Sequence, residues 1–142
     1  MFIDAILQSK GVVVHTLPHT GRLADAVAVL NHHNIGAVVI TGADDAVVGI
    51  LSERDIVRRL DKDPAGALEL PIASVMTRNV ATCTRDTTIA EVMELMTNLR
   101  VRHMPVVEKG ELIGIISIGD VVKRKIEEAE FEAAALREYI AS

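Results

Sequence analysis

Apolar positions along the chain fall into two alternating patterns. Short apolar runs at residues 12–16, 37–41 and 47–51 read as strands, and the runs at 80–84, 104–107 and 112–117 repeat them in the second half. Between these runs the apolar spacing becomes helical. Leu23, Val27 and Leu30 predict an amphipathic helix over 22–33, and Ile89, Val92, Leu95 and Met96 predict one over 88–99. Turn residues at 18–21, 42–45, 85–87 and Lys109-Gly110 punctuate the runs, and further helices follow from 53 to 60 and from Asp120 onward.

The pattern occurs twice because the sequence does. VGILSERDIVRRL (48–60) matches IGIISIGDVVKRK (113–125), which aligns Gly49 with Gly114, Ser52 with Ser117 and Asp55 with Asp120. Upstream, Thr16 aligns with Thr82 and Ala24 with Ala90, one residue further apart. The expected fold is therefore α/β, two β-α-β-β-α repeats over 1–60 and 72–125. A polar connector over 61–71 carries Pro64, Gly66 and Pro71, with a short helix expected at 72–76. Residues 126–142 extend the last helix, with apolar side chains at Val122, Ile126, Phe131, Leu136 and Ile140 along its course. That helix reads equally as a solvated cover on the domain edge or as a dimer contact.

Composition narrows the function. Of the 142 residues, 49% are hydrophobic and 25% charged, as in globular chains, while aromatics make up 2% and Trp is absent, so no aromatic platform reads a base. A net charge of −5 argues against nucleic-acid binding, which draws on a concentrated basic face. One cysteine, Cys83, forms no internal disulfide and suits a reducing cytoplasm as a small apolar filler. No apolar run approaches the length of a membrane span and no signal-peptide pattern opens the chain, so neither export nor insertion is expected. His32 and His33 are adjacent, and His15 and His19 straddle Pro18, so no helical metal pair is expected. No nucleophile elbow, Walker loop or G-x-G-x-x-G is present, and an enzyme is not the expected class.

Two copies of strand, helix, hairpin and helix, each carrying Gly-hydrophobic-hydrophobic-Ser-x-x-Asp, resemble the CBS-domain family in its tandem arrangement, the Bateman module. The motifs are Gly49-Ile50-Leu51-Ser52-Glu53-Arg54-Asp55 and Gly114-Ile115-Ile116-Ser117-Ile118-Gly119-Asp120. The resemblance covers nearly the whole chain, and the second half is also similar to small bacterial stand-alone members. It implies pseudo-twofold packing of the repeats, two clefts between them, and an adenine nucleotide as ligand. AMP comes first, with ATP, ADP or NAD(H) as alternatives and no metal. A regulatory role toward an unidentified partner protein, in a homodimer, follows from the same resemblance; the rival expectation is a ligand-free interaction module.

Asp55 and Asp120 open helices, where a carboxylate either caps the positive helix end or, as the resemblance implies, accepts hydrogen bonds from a ribose. Ser52 and Ser117 face the same helix starts and suit either an N-cap or a phosphate oxygen. Arg54 and Arg102 occupy phosphate-contacting positions by the resemblance, with Arg100 a third candidate, because a guanidinium stays charged and presents a planar fork. Their counterparts are Gly119 and Gly36, so each repeat keeps one basic group and the clefts should be unequal. The expectation is that Arg54 crosses to join Arg102 in the cleft of Asp120. Ile35, Gly36, Ala37, Val38, Val101, Met104 and Pro105 would wall an adenine, with backbone groups near Thr16, Thr82, Ala37 and His103 reading its edge.

Overall fold

The computed structural model describes residues 1–142. Each repeat builds a small sheet. In the first, β1 (Thr16–Pro18) pairs parallel with β2 (Ala37–Thr41), which pairs antiparallel with β3 (Val47–Ser52). In the second, β4 (His103–Glu108) and β5 (Glu111–Ser117) form the antiparallel pair, and the parallel neighbour shrinks to one bridge between Cys83 and Val106. A bulge falls at Ile40/Thr41 in one hairpin and at Val106/Val107 in the other, the same position in the repeat.

Helix α1 (Ile3–Lys10) opens the chain, α2 (Leu23–His33) and α3 (Glu53–Lys62) belong to the first repeat, and α4 (Ile89–Leu99) and α5 (Ile118–Ala141) to the second. Both hairpins feed a helix through the same capping box. Ser52 Oγ accepts from the Asp55 amide at 3.3 Å while Asp55 accepts from the Ser52 amide at 3.0 Å. Ser117 and Asp120 repeat this at 3.1 and 2.9 Å.

Helix α1 is an element that the apolar pattern did not predict. Ile3, Ile6 and Leu7 are buried, but in the core of the second repeat, with Ile89, Val92, Met104, Ile116 and Val121. The exchange is reciprocal. Ile72 and Met76, which lead into the second repeat, are buried in the core of the first with Leu23, Leu30, Val38, Ile40 and Leu51. Backbone bonds repeat the symmetry: Leu23 N donates to Leu70 O and Ile72 N to Gly21 O, as Ile89 N donates to Met1 O and Ile3 N to Thr87 O, all at 2.9 Å. This relationship is the pseudo-twofold that the family resemblance implied.

Other departures from the sequence reading are local. The expected strand at 12–16 is displaced to Thr16–Pro18, because only there does the chain find β2; Val12 and Val13 stay exposed. The expected strand at 80–84 keeps only the Cys83 bridge. The short helix at 72–76 is a 3-10 turn over Ile72–Ser74, with Pro71 at its N-cap.

Candidate functional site

Where α3 begins, its first turn faces the connection from α4 to β4, and a cavity of about 890 Å3 opens between them. From the first repeat its wall includes Gly36, Ser52, Arg54, Asp55 and Arg58; from the second, Arg100, Val101, Arg102 and His103. Glu53 N donates to Gly36 O at 3.0 Å, which holds the helix start against the β2 entrance. A Cβ at Gly36 would sit 3.2 Å from His103 Nε2 and 3.4 Å from Glu53 Oε1, so this glycine gives both side chains their place.

Arg54 and Arg102, from different repeats, do share one cavity. They share it with Asp55 and Ser52, however, and not with Asp120 and Ser117, which are absent from its wall. The reason is lateral. Residues 100–103 enter β4 alongside the α3 N-terminus, while Asp120 opens α5 elsewhere and is engaged by another cation. Lys10 Nζ donates to Asp120 Oδ2 at 2.6 Å and to the Ile115 carbonyl at 2.9 Å. In the first repeat the equivalent carbonyl, of Ile50, accepts from the backbone amide of Thr77. The starts of α3 and α5 are therefore engaged differently, and Lys10 is part of the difference.

Burial by itself would raise the Asp120 carboxyl; the Lys10 hydrogen bond and charge, with the Ser117 amide and hydroxyl, outweigh it and hold the group below its ordinary value. His103 is lowered, chiefly by burial and next by Lys10, against the opposing pull of Glu53 and Asp120. Its ring thus lies within reach of charges at the starts of both α3 and α5.

Among the residues expected to surround an adenine, Gly36, Val101 and His103 line the cavity. Val38 and Met104 are fully buried at 0% exposure and offer a ligand no surface; Ala37 and Pro105 are buried beside them in β2 and β4. Ile35 packs against the first core, and Thr16 and Thr82 lie outside the wall. Arg58 and Glu53 line the cavity without having been singled out. Arg58 was legible, since it follows Arg54 by four residues on one helix face. Lys10 gave no local signal.

The remaining reactive side chains are accounted for by packing. Burial pushes the Cys83 thiol up to about 11, and the group lies in the second core. His15 stacks on His33 with ring centroids 3.6 Å apart, and no cluster of three or more His, Cys, Asp and Glu side chains is arranged to hold a metal. No helix is long and apolar enough to cross a membrane.

A duplicated α/β unit whose repeats exchange their leading segments, with a basic cavity at their junction, defines the class: a tandem-repeat α/β module. The chain belongs to the CBS domain family, matching it twice, over residues 9–62 and 72–127. It is 44% identical to a CBS-domain-containing protein of Agrobacterium tumefaciens, with a TM-score of 0.85 over 87% of this chain and 92% of that one. The mitochondrial CBS domain-containing protein CBSX3 of Arabidopsis thaliana is 36% identical over 82% of this chain, which spans only 58% of that protein. Two further solved structures carry ligands. The CBS domain protein of Pyrobaculum aerophilum, complexed with AMP, is 27% identical with a TM-score of 0.75, covering 84% of this chain and 89% of that one. The CBS domain pair of protein MJ0100, with 5'-methylthioadenosine and S-adenosyl-L-methionine, is 25% identical with a TM-score of 0.79, covering 90% and 98%.

Proposed function

We propose that this CBS pair is a non-catalytic regulatory module that binds an adenine nucleotide in the cavity at the start of α3. The observation that carries this reading is the convergence of Asp55, Ser52 and Arg54 with Arg102 of the other repeat on one 890 Å3 space. A carboxylate at a helix start accepts from a ribose diol, and guanidinium forks suit phosphate oxygens. The AMP and S-adenosylmethionine complexes of related CBS proteins supply the adenosyl chemistry. Because the wall comes from both repeats, a ligand there favours one relative orientation of the two, and a population shift passes the signal on. The protein it regulates would be met in the cytoplasm.

Calorimetry with AMP tests the assignment. Arg54→Ala and Arg102→Ala should each weaken AMP roughly tenfold to hundredfold, the loss of one charge-assisted contact, and leave adenosine nearly unchanged. Asp55→Ala should weaken both ligands, and Asp120→Ala should weaken them less. No rise in the melting midpoint with AMP, ADP, ATP, NADH or S-adenosylmethionine would leave the ligand-free interaction module as the better reading.

The chain is further proposed to act as a homodimer joined through α5. Val122, Ile126, Ala129, Ala133, Leu136 and Ile140 follow one another at alternating steps of four and three, the seam of a two-stranded coiled coil.

A further inference from the structure

The cavity holds more positive charge than a single phosphate group uses. Arg54 and Arg58 project from successive turns of α3, and Arg100 and Arg102 approach from the α4–β4 connection; Glu53 and Asp55 are the acidic residues among them. Four guanidiniums against two carboxylates leave an excess of two positive charges at one place on a chain whose net charge is −5. Asp55 is occupied with the Ser52 amide and hydroxyl, and Glu53 lies toward Gly36.

These arginines are also without partners. Arg22, Arg85 and Arg124 form ion pairs, and Arg59 and Arg78 donate to the backbone carbonyls of Ser74 and Ala73. The side chains of Arg54, Arg58, Arg100 and Arg102 make no hydrogen bond or ion pair with any other residue, although they gather at one cavity. Four guanidiniums gathered against two carboxylates repel one another on balance, and an anion relieves that repulsion.

Arg100 adds an independent observation. It ends α4 in the left-handed region, at φ 56 and ψ 41. The equivalent residue of the first repeat, Asn34, has nearly the same backbone at φ 52 and ψ 50. The fold thus requires this conformation in both repeats, and Asn tolerates it better than a long side chain does. Arginine sits at the strained position in the copy that faces the cavity.

Resting on the nucleotide reading, we infer that this cavity selects for a polyphosphate chain: Arg54 and Arg102 hold one phosphate, and Arg58 and Arg100 hold the phosphates beyond it. The ligand class is then a nucleoside di- or triphosphate in preference to a monophosphate, with inorganic polyphosphate as the other source of the same chemistry. The cavity, near the upper end of ordinary small-molecule sites, has room for the longer ligand.

The test is a calorimetric series on the full chain with AMP, ADP and ATP, alongside orthophosphate and tripolyphosphate. Affinity should rise about tenfold from AMP to ADP and again to ATP, and tripolyphosphate should bind where orthophosphate does not. Arg58→Ala and Arg100→Asn should flatten the ATP-to-AMP ratio by at least about tenfold; the asparagine keeps the left-handed turn that the first repeat already makes with Asn34, so folding is preserved. Arg137→Ala, on the far end of α5 and outside the cavity wall, should leave the affinities for AMP and ATP unchanged. AMP and ATP bound equally well, or an unchanged ratio in both variants, would overturn the selectivity while leaving the nucleotide reading in place. Tight, Arg58- and Arg100-dependent binding of tripolyphosphate with no contribution from adenosine would instead overturn the adenosyl reading and uphold this one.

Discussion

Gly49 and Gly114 stand where each repeat's last strand is crossed by a segment from outside it. A Cβ at Gly49 would lie 2.5 Å from Met76 Sδ and 3.1 Å from the Thr77 carbonyl; one at Gly114 would lie 2.6 Å from Leu7 Cδ2. The sequence showed these glycines as the head of a repeated motif, but not why, since the atoms that exclude a side chain come from the other repeat's leading segment. Gly49→Ala and Gly114→Ala should each destabilise by about 1–3 kcal/mol through overpacking. Gly49→Ala should be the costlier, because a backbone oxygen cannot rotate away; urea midpoints decide the order. His103 supplies a pH dependence. Its folded pKa lies below 6.5, so the unfolded chain takes up the proton first as pH falls, and folding stability drops below about 6.5 until the folded pKa is passed. Melting midpoints between pH 8 and pH 5 should fall more for the wild type than for His103→Gln, and equal slopes would assign the effect to other groups.

At the scale of elements, what was legible was what the chain encodes locally. The β2–β3 and β4–β5 hairpins and helices α2 and α4 came within a residue or two of their observed limits, because each carries its own apolar period and its own turn or cap. Ser52 and Ser117 could be read as caps for the same reason, and the cluster of Arg54, Arg100 and Arg102 as basic candidates. Which cleft they enter could not be read, since that depends on how residues 100–103 lie across the start of α3. Helix α1 was invisible for a related reason: its eight residues bury Ile3, Ile6 and Leu7 against Ile116 and Val121 rather than against anything near in sequence. Leu7 is 2% exposed, and Leu7→Ala should cost about 2–5 kcal/mol. Hydrogen exchange should place the loss in β5 and α4 of the second repeat more than in β2 and β3 of the first. Loss confined to the first repeat would show that the exchange of leading segments does not hold in solution.

For the whole molecule, the question is what covers α5. The helix runs 24 residues, about 36 Å, yet Val121 is its one buried residue. Val122, Ile126, Leu136 and Ile140 are between 42% and 74% exposed, and Ala129 and Ala133 lie on the same stripe between them. Phe131, which the sequence grouped with these residues, points to the opposite side, half a turn of the helical wheel away. With Ile126, Ala133 and Ile140 at the a positions, the flanking charges become informative. Lys125 would face Glu130 of a second copy, and Glu132 would face Arg137, in a parallel pair, whereas an antiparallel pair brings like charges together near the centre. Small alanines in the middle let the helices approach closely, and Ile and Leu toward the end fill the seam. Light scattering at micromolar concentration should therefore give a dimer. Ile126→Glu with Leu136→Glu should give a monomer whose circular dichroism and AMP binding persist, because neither residue touches the cores or the cavity. Glu132→Lys should weaken the dimer, and adding Arg137→Glu should restore it; each exposed pair contributes only about 0.2–1 kcal/mol, so the comparison belongs at low salt. A wild-type monomer would dismiss the seam, and a dimer that survives both glutamates would move the contact to another face.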